Sequence, residues 1–278
     1  MRNDFIQPQK IKSIITSRYE IKKSTISNWF SSKEVQEEIL VSKEKCIFSN
    51  GVRIKSETIS PNGNRSITEY LNGLESEKRL YNENNVLLSI IKRTYGSNKK
   101  ISYYEEKDCI KGIIKDWNRY EYNNNNDLIC FQSHNYERKY SYSHNKRNGY
   151  DEKHCSCLTD GSSEIRLYDE DKIIREEFYD NNKKLIKTIE HIYDENGLEI
   201  NRIFNGTRVE RYLYDIHRNT IYMKWWREEY DSRTSSNKEI ETETTYDYKY
   251  DSYGNWVELR QYRNKQYNLL ETREIEYL

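Results

Sequence analysis

Residues 244–262 of the chain read TTYDYKYDSYGNWVELRQY. Three tyrosines alternate with polar residues in the first half, and Trp256 begins a second alternating segment. A period of two is typical of a β-strand with one face more buried than the other. Between the two segments, the Asp251 carboxylate can accept a hydrogen bond from the backbone N–H two residues later, and Gly254 can adopt a positive φ. The pattern predicts a β-hairpin with a short turn.

The same corner recurs along the chain. Each copy has a Tyr followed by Asp or Asn, and the fourth position after the Tyr is Gly, Asn, Lys or Arg. Gly and Asn tolerate the left-handed conformation at that position, whereas Lys or Arg accepts a small strain. The copies begin at Tyr81, Tyr122, Tyr168, Tyr179, Tyr193, Tyr214 and Tyr250. The sequence therefore predicts a series of antiparallel hairpins.

A Tyr-Asp dipeptide followed by a Gly or Asn turn, clearest at residues 193–197 and 250–255, resembles the YD repeats of bacterial Rhs-type and wall-associated proteins. The resemblance covers residues 80–262. In that family the repeats wind as antiparallel hairpins into a spiralling sheet, which encloses a toxin in large members. The resemblance implies that this chain is a short stand-alone member of the family. It implies the sheet but not the toxin-enclosing cage, because we expect 278 residues to be too few to close a shell.

The composition favours a thin sheet over a thick core. The chain has 26 Tyr and 6 Phe, and charged residues make up 33%. A tyrosine ring can be buried while its hydroxyl stays in water, which suits a half-exposed sheet face. We therefore predict an all-β protein whose hairpin repeats form a curved, largely single-layer antiparallel sheet or an open β-spiral. Residues 51–278 are expected to be the repeat domain.

Residues 1–50 do not follow the repeat pattern and are expected to be a small N-terminal cap. The segment from Ser31 to Glu34 fits a capping box that opens a short helix through Val35 and Ile39. An alternative is a helix and a strand packed as a lid on the first sheet edge. Either arrangement would protect an edge that is otherwise unpaired.

The net charge is zero, with 46 basic and 46 acidic residues. This balance removes the general electrostatic argument for a nucleic-acid or membrane partner. The five cysteines are scattered and odd in number, which indicates free thiols in a reducing compartment. Because no apolar run has the length of a signal peptide or a membrane span, we expect a cytoplasmic protein, either a monomer or a weak oligomer.

Two clusters resemble binding chemistry but have simpler explanations. Cys155 and Cys157 lie beside His154, yet their spacing is tighter than that of structural zinc ligands, so ordinary thiols and no metal or other cofactor are expected. The segment 138–147 interleaves cations with tyrosines, as single-stranded nucleic-acid platforms do. Lys and Arg stems also pack over rings on any exposed sheet face, so nucleic acid is not the expected partner.

A partner-binding surface is expected near the acidic segment 227–247, which holds three basic and seven acidic residues. Tyr and Trp are favoured at binding hot spots, although a run of charge is more often a solvated face. The predicted binding residues are Trp225, Trp226, Glu228, Glu229, Tyr230, Asp231 and Trp256. No phosphate loop, nucleophile elbow or His-Glu-x-x-His motif occurs, so we do not expect an enzyme.

These observations predict a non-catalytic protein-binding scaffold. In its most specific form, the hypothesis is an immunity protein that binds and occludes a bacterial toxin with a basic surface. The alternative is a carbohydrate or cell-wall binding module in which an exposed Trp225, Trp226 or Trp256 stacks on a sugar.

Overall fold

The protein is described from a computed structural model, which covers residues 11–28, 31–134, 136–231 and 236–277. Every element of this part of the chain is a β-strand, and it contains no helix that is long and apolar enough to cross a membrane. The strands are β1 (Ile11–Asn28), β2 (Ser31–Ser49), β3 (Val52–Ile59), β4 (Arg65–Leu71), β5 (Leu74–Tyr81), β6 (Leu87–Tyr95), β7 (Ile101–Asp108), β8 (Ile113–Tyr122), β9 (Leu128–Ser133), β10 (Tyr136–Arg147), β11 (Tyr150–Cys157), β12 (Ser163–Asp169), β13 (Lys172–Tyr179), β14 (Leu185–Tyr193), β15 (Glu199–Phe204), β16 (Arg208–Tyr214), β17 (Thr220–Asp231), β18 (Ser236–Tyr250), β19 (Trp256–Arg263) and β20 (Gln266–Tyr277).

All 20 strands belong to one sheet, in which each strand is antiparallel to the next. β20 pairs with β1 through nine residue pairs, from Ile11–Tyr277 to Glu20–Leu269, so the sheet closes into a barrel. The prediction of an all-β antiparallel protein is confirmed, but the prediction of an open curved sheet or open β-spiral is wrong. Closure satisfies the backbone groups that two open sheet edges would leave without partners.

The N-terminal cap predicted as part of that fold is also wrong. Residues of the expected helix lie in β2 and pair with β1, for example Ile39 with Glu20. β1 and β2 therefore form the seam of the ring, between β20 and β3. The boundary predicted at residue 50 falls in the turn between β2 and β3, and the division into two domains stays a prediction.

The five-residue corners follow the predicted chemistry. Asp251 Oδ1 accepts hydrogen bonds from the backbone N–H groups of Tyr253 and Asn255, both at 2.9 Å. In the five-residue corners, the residue at the fourth position after the tyrosine has a φ between 63° and 81°. The same pair of side-chain bonds forms at Asn82, Asn123, Asp180, Asp194 and Asp215. The corner after Tyr168 differs, because it is a two-residue turn with Glu170 at φ 56°.

At several corners the tyrosine hydroxyl fastens the corner to the preceding strand. Tyr193 at the end of β14 donates its hydroxyl to the carbonyl of Ile173 at the start of β13, at 2.8 Å. In the same way, the Tyr122 hydroxyl donates to the Ile101 carbonyl, and the Tyr214 hydroxyl donates to the Glu199 carbonyl. The Tyr95 hydroxyl, before a similar turn, donates to the Glu75 carbonyl. At Tyr193, as at the other corner tyrosines, the register shifts by one residue, which marks a β-bulge. The motif thus combines a bulge, a side-chain hydrogen bond to the backbone and a turn.

Turns that follow even-numbered strands lie at one rim of the barrel, here called the lower rim, and turns that follow odd-numbered strands lie at the upper rim. Many of the remaining turns are two-residue hairpins at Asn-Gly dipeptides, such as residues 50–51, 72–73 and 148–149. Both residues of these turns have positive φ, which requires Asn and Gly types. The chain termini of the described part, Ile11 and Tyr277, also lie at the lower rim.

One face of the sheet is less exposed than the other. In β18, Thr242 and Thr244 are 0% and 1% exposed, whereas the neighbouring Glu241 and Thr245 are exposed. Side chains converge on the concave side of a closed sheet, so the less exposed set lies inside the barrel. The chain exposes 18,376 Å², compared with about 12,800 Å² for a compact protein of this mass. A sheet one layer thick with both faces accessible contributes to this difference.

Candidate functional site

Two hairpins extend beyond the upper rim. The ladder between β18 and β19 ends at Thr244–Arg263, and the ladder between β16 and β17 ends at Arg211–Lys224. β17 and β18 nevertheless continue to pair with each other through seven further residue pairs. This β17–β18 ribbon comprises residues 225–231 and 236–242 and rises roughly 20 Å above the wall.

The second extension is the β1–β2 ribbon, residues 21–28 and 31–38, which contains eight residue pairs. It begins where the pairing of β1 with β20 ends, at Glu20–Leu269. Only the β19–β20 hairpin separates the two ribbons, and its turn at residues 264–265 lies near the level of the rim. The upper rim therefore carries a gap with a two-stranded ribbon on each side.

Trp225 and Trp226 lie at the base of the β17–β18 ribbon and face opposite sides of it. Trp225 is half-buried on the inner face, and its indole N–H lies 3.5 Å from the Thr244 hydroxyl. The indole N–H of Trp226 donates to the Val209 carbonyl at 3.4 Å, just where the β16–β17 ladder stops. Both tryptophans thus support the ribbon where it leaves the wall.

A row of glutamates lies on the outer face of β18. Glu241 pairs with Lys224 at 2.7 Å, and this hydrogen bond raises the pKa of the lysine. Glu239 pairs with Arg208, and Glu243 accepts a hydrogen bond from the Tyr222 hydroxyl at 3.2 Å. Burial, followed by that hydrogen bond, raises the pKa of Tyr222. These contacts lie toward β16 and β17, so the opposite edge of β18 borders the gap.

The predicted binding residues do not form one site. Glu228, Glu229, Tyr230 and Asp231 belong to β17 in the β17–β18 ribbon, with side chains outside the described part of the structure. Trp256 is 3% exposed and lies beneath the Arg273 guanidinium, 3.3 Å from the ring centroid.

Trp256 also lies near the other end of the barrel. Trp256 pairs with Tyr250 of β18, whereas Trp225 pairs with Thr242 of the same strand. Tyr250 and Thr242 are eight residues apart, which is roughly 27 Å along the strand. The expectation that Trp256 is exposed is wrong, because the strand that closes the barrel carries Arg273 over its ring.

Charged side chains form a row on the inner face across β12–β16. Arg166 Nε lies 3.0 Å from Glu176, and Arg202 lies 2.6 Å from Glu199. Between these pairs, His191 contacts Glu176 through Nε2 at 3.1 Å and Glu199 through Nδ1. Arg202 also lies 3.9 Å from Glu210 of β16, so the alternation of charge ties five strands together by side-chain contacts as well as by the backbone ladder.

The row holds His191 in its charged form. Burial alone would lower the pKa of His191, but its hydrogen bonds to Glu176 and Glu199 outweigh burial and raise the pKa to about 9. The hydrogen bond from His191 lowers the pKa of Glu176 to about 2. Because both partners are ionised near neutral pH, the group is a structural ion pair and is not arranged for proton transfer at that pH.

A cavity of about 360 Å³ lies at the seam of the barrel. Its lining includes Arg18, Arg53 and Arg273 beside Glu44 and Glu271. Charges of both signs line this cavity, so it has no single electrostatic preference for a ligand.

The cysteine–histidine cluster does not form a metal site in the described structure. Among the described residues, no group of three or more His, Cys, Asp or Glu is arranged to hold a metal ion. Cys157 is buried and Cys155 is half-buried, and burial is the main factor that raises the pKa of the Cys155 thiol. The cations at 138–147 are similarly engaged, with Arg138 lying 3.1 Å from Asp160.

The two ribbons were missed by sequence reasoning, although a signal for one is present. Residues 220–231 and 236–250 form two long strands, and the Tyr-Asp dipeptides at 230–231 and 246–247 lack Gly, Asn, Lys or Arg at the fourth position, so the full corner motif does not recur between Tyr214 and Tyr250. The strands on either side, β16 and β19, have 7 and 8 residues. A hairpin much longer than its neighbours must extend past them, so the lengths alone indicate a projection.

No family model and no curated protein matches the chain. Solved structures that resemble it include the Photorhabdus luminescens Tc holotoxin pore, with 12% identity and a TM-score of 0.38 over 92% of this chain and 14% of that chain. A TcdB2–TccC3 structure matches with 10% identity and a TM-score of 0.36 over 92% of this chain and 16% of that chain. A porin-like protein from Bacteroides uniformis has 10% identity and a TM-score of 0.23 over 96% of each chain.

The chain thus spans about one seventh of the first of these toxin-complex chains. The toxin-complex matches share no more than 12% identity with this chain. At such low identity and TM-score they carry no argument about function.

Proposed function

We propose that the protein is a non-catalytic protein-binding scaffold of the YD-repeat type and that its upper rim is the contact surface. The observation that carries the proposal is the pair of ribbons at one rim. Ribbons that extend past their neighbours present backbone donors and acceptors to a partner, together with side chains on two faces.

The charge and the aromatic residues of the β17–β18 ribbon also favour the upper rim as the contact surface. All of the β17–β18 ribbon except Trp225 and Trp226 lies within the acidic segment 227–247, and Trp225 is half-buried at its base. Charged side chains that meet a basic partner speed association, while a partly buried aromatic side chain supplies apolar contact area. A basic protein surface is therefore the complementary partner chemistry.

The finer form of the proposal is neutralisation of a bacterial toxin, in which the barrel occludes the basic surface of the toxin. Its support is the acidic ribbon together with the resemblance of the corners to YD repeats, which are found in toxin-associated proteins. The sugar-binding alternative has weaker support, because Trp256 is buried and the indole N–H of Trp226 is already bonded to the protein backbone.

Isolation of the full-length protein from its native host tests the proposal. We expect one stoichiometric protein partner whose chemical crosslinks reach Lys238 and Lys265 near the upper rim and leave Lys99 and Lys172 at the lower rim unlinked. Retention on glycans without a protein partner, or crosslinks confined to the lower rim, would overturn it. For the toxin form, co-expression must relieve the toxicity of the partner.

A further inference from the structure

The gap between the two ribbons has the width of two β-strands. β18 and β1 are separated in the ring by β19 and β20, that is, by three inter-strand spacings. Three spacings amount to roughly 14 Å, which is the separation that two further strands would fill while pairing on both sides. Above the turn at residues 264–265, the ribbons continue and the β19–β20 hairpin does not.

The edge of β18 that borders the gap carries backbone groups oriented for pairing. Asn264 donates its backbone N–H to the Glu243 carbonyl at 2.7 Å, so the backbone groups of Glu243 point toward β19. Backbone groups of alternate residues in a strand point to the same side. The N–H and C=O groups of Glu241 and Glu239 therefore point into the gap, above the last bond that β19 provides.

The two walls of the gap differ in charge. On the outer face, the β18 wall presents Glu239 and Glu241, whereas Lys23 lies on the outer face at the foot of the β1 wall and Lys22 lies on the inner face. Opposite charges on adjacent strands stabilise a sheet, and like charges directly opposite destabilise it. An incoming strand beside β18 is favoured when it is basic, and one beside β1 is favoured when it is acidic.

We propose that the gap binds a β-hairpin of a protein partner, with one basic and one acidic strand, which extends the barrel wall by backbone pairing to β18 and β1. The proposal rests on the proposed function, since it states how the partner is held. A two-stranded guest fits better than a single strand, because a single strand would leave one wall unpaired. It also fits better than a loop, which cannot continue two ladders.

The probe is a cyclised hairpin peptide of about seven residues per strand, matched to the ribbon height. It has Lys at the outward positions of one strand and Glu at those of the other. Two control peptides carry either N-methylated edge amides or like charges on both strands. Binding to the full-length protein is measured by fluorescence anisotropy. We expect the probe to bind and both controls to bind more weakly.

Matched protein variants separate backbone pairing from charge. Glu239→Pro/Glu241→Pro removes both N–H groups that face the gap and leaves the residues that pair toward β17 intact. Glu239→Ala/Glu241→Ala removes the same carboxylates but keeps both N–H groups. We expect the Pro variant to lose roughly 30-fold or more in affinity and the Ala variant less than about fivefold. Circular dichroism confirms that both variants remain folded.

The outcomes also distinguish this proposal from the proposed function. Equal losses in the Pro and Ala variants, or no binding of the probe, would overturn hairpin insertion. If a host partner still binds the Pro variant with unchanged affinity, the scaffold function stands and the hairpin site is wrong. If light scattering shows a dimer that the Pro variant abolishes, a second copy of the chain occupies the gap, and the proposal of a foreign partner hairpin is wrong.

Discussion

A single side-chain oxygen organises each five-residue corner. The Oδ1 atom of Asp or Asn accepts two backbone N–H groups that the turn would otherwise leave without partners, as Asp180 does for Asn182 and Lys184 at 2.9 Å each. Because Asp and Asn place this oxygen at the same distance from the backbone, either residue serves. The remaining requirement is a positive φ at the fourth position, which Lys183 meets with a φ of 64°.

Asp251 gives the sharpest test of this chemistry. Its Oδ1 holds two backbone N–H groups, and its Oδ2 accepts the Tyr277 hydroxyl of the last strand. We expect Asp251→Ala to lower the free energy of unfolding by about 2–3 kcal/mol, because it leaves a partly buried corner unsatisfied. Asp251→Asn keeps one acceptor and is expected to cost about 1 kcal/mol. Urea denaturation measures both, and equal losses would contradict the explanation.

Because of His191, the free energy of unfolding of the barrel is expected to fall at alkaline pH. Its pKa in the folded state is about 9, above the ordinary value of 6.5. The folded state therefore binds the proton more tightly, so the stabilisation is complete below pH 6.5 and is lost as the pH rises through 9. We expect the free energy of unfolding to fall by about 2–3 kcal/mol between pH 6.5 and 9.5.

The control for that experiment is His191→Gln, which keeps a side chain with hydrogen-bonding groups but does not titrate. Other groups also titrate at high pH, including Cys46, whose burial raises its pKa to about 12. Subtracting the urea-denaturation profile of the variant from that of the native protein removes their contribution. A difference curve that stays flat from pH 6.5 to 9.5 would rule out His191 as the source.

At the residue scale, the sequence predicts what depends on a few neighbouring residues. Arg218 at a left-handed position with a φ of 64° was predicted from its place in the motif. Trp256 was predicted to be exposed and is buried, because Arg273 and Tyr248 from neighbouring strands pack against it. Exposure depends on strands that are remote in the sequence, and the local pattern contains no information about them.

At the scale of elements, the positions of turns can be predicted from a few local residues, whereas the lengths of strands are harder to predict. The Asn-Gly dipeptides at residues 72–73 and 148–149 are strong hairpin signals and mark corners that the Tyr motif alone does not. The segment around Ile39 was predicted as a helix because a capping pattern preceded its apolar residues. Pairing with β1 overrode that local preference.

The β17–β18 ribbon can be removed without disturbing the wall. Arg227 and Ile240 form a residue pair, so an Asn-Gly turn placed between them replaces residues 228–239. We expect the free energy of unfolding in urea to change by less than about 1 kcal/mol, because the described backbone of the deleted part pairs only within itself and the Glu239–Arg208 ion pair that is lost is partly exposed. Affinity for the host partner, measured by titration calorimetry, should fall at least about 30-fold, the loss of a few interface contacts.

A shortened chain that unfolds at much lower urea concentration would show that the ribbon supports the wall. Unchanged affinity in a stable variant would place the partner elsewhere on the barrel. An equivalent Asn-Gly replacement at the opposite rim, between the paired residues Lys146 and Asp151, is the matched control. It removes an exposed hairpin tip and should leave partner binding unchanged.

For the molecule as a whole, closure is the property that the sequence least predicts. Each corner specifies one hairpin, but closure depends on the summed twist and stagger of 20 strands. A small change in either sum converts a ring into a spiral. The seam residues Ile14 and Ile275 face each other through pairing of the first strand with the last, and no local pattern links positions so distant in the chain.

A disulfide across the seam tests closure directly. Ile15 and Glu274 are paired on β1 and β20, and paired residues of antiparallel strands have Cα separations of about 4.5–5.5 Å, which a disulfide spans. We expect Ile15→Cys/Glu274→Cys to form an intramolecular bond, identified by mass spectrometry of unreduced peptides, and to raise the free energy of unfolding by about 2–4 kcal/mol. The control is Ile15→Cys/Glu258→Cys, because Glu258 lies one strand farther round the ring and two residues out of level, roughly 12 Å away, and should not bond. An open sheet would leave residues 15 and 274 far apart, so failure of the first pair to bond in a folded monomer would contradict the closed barrel.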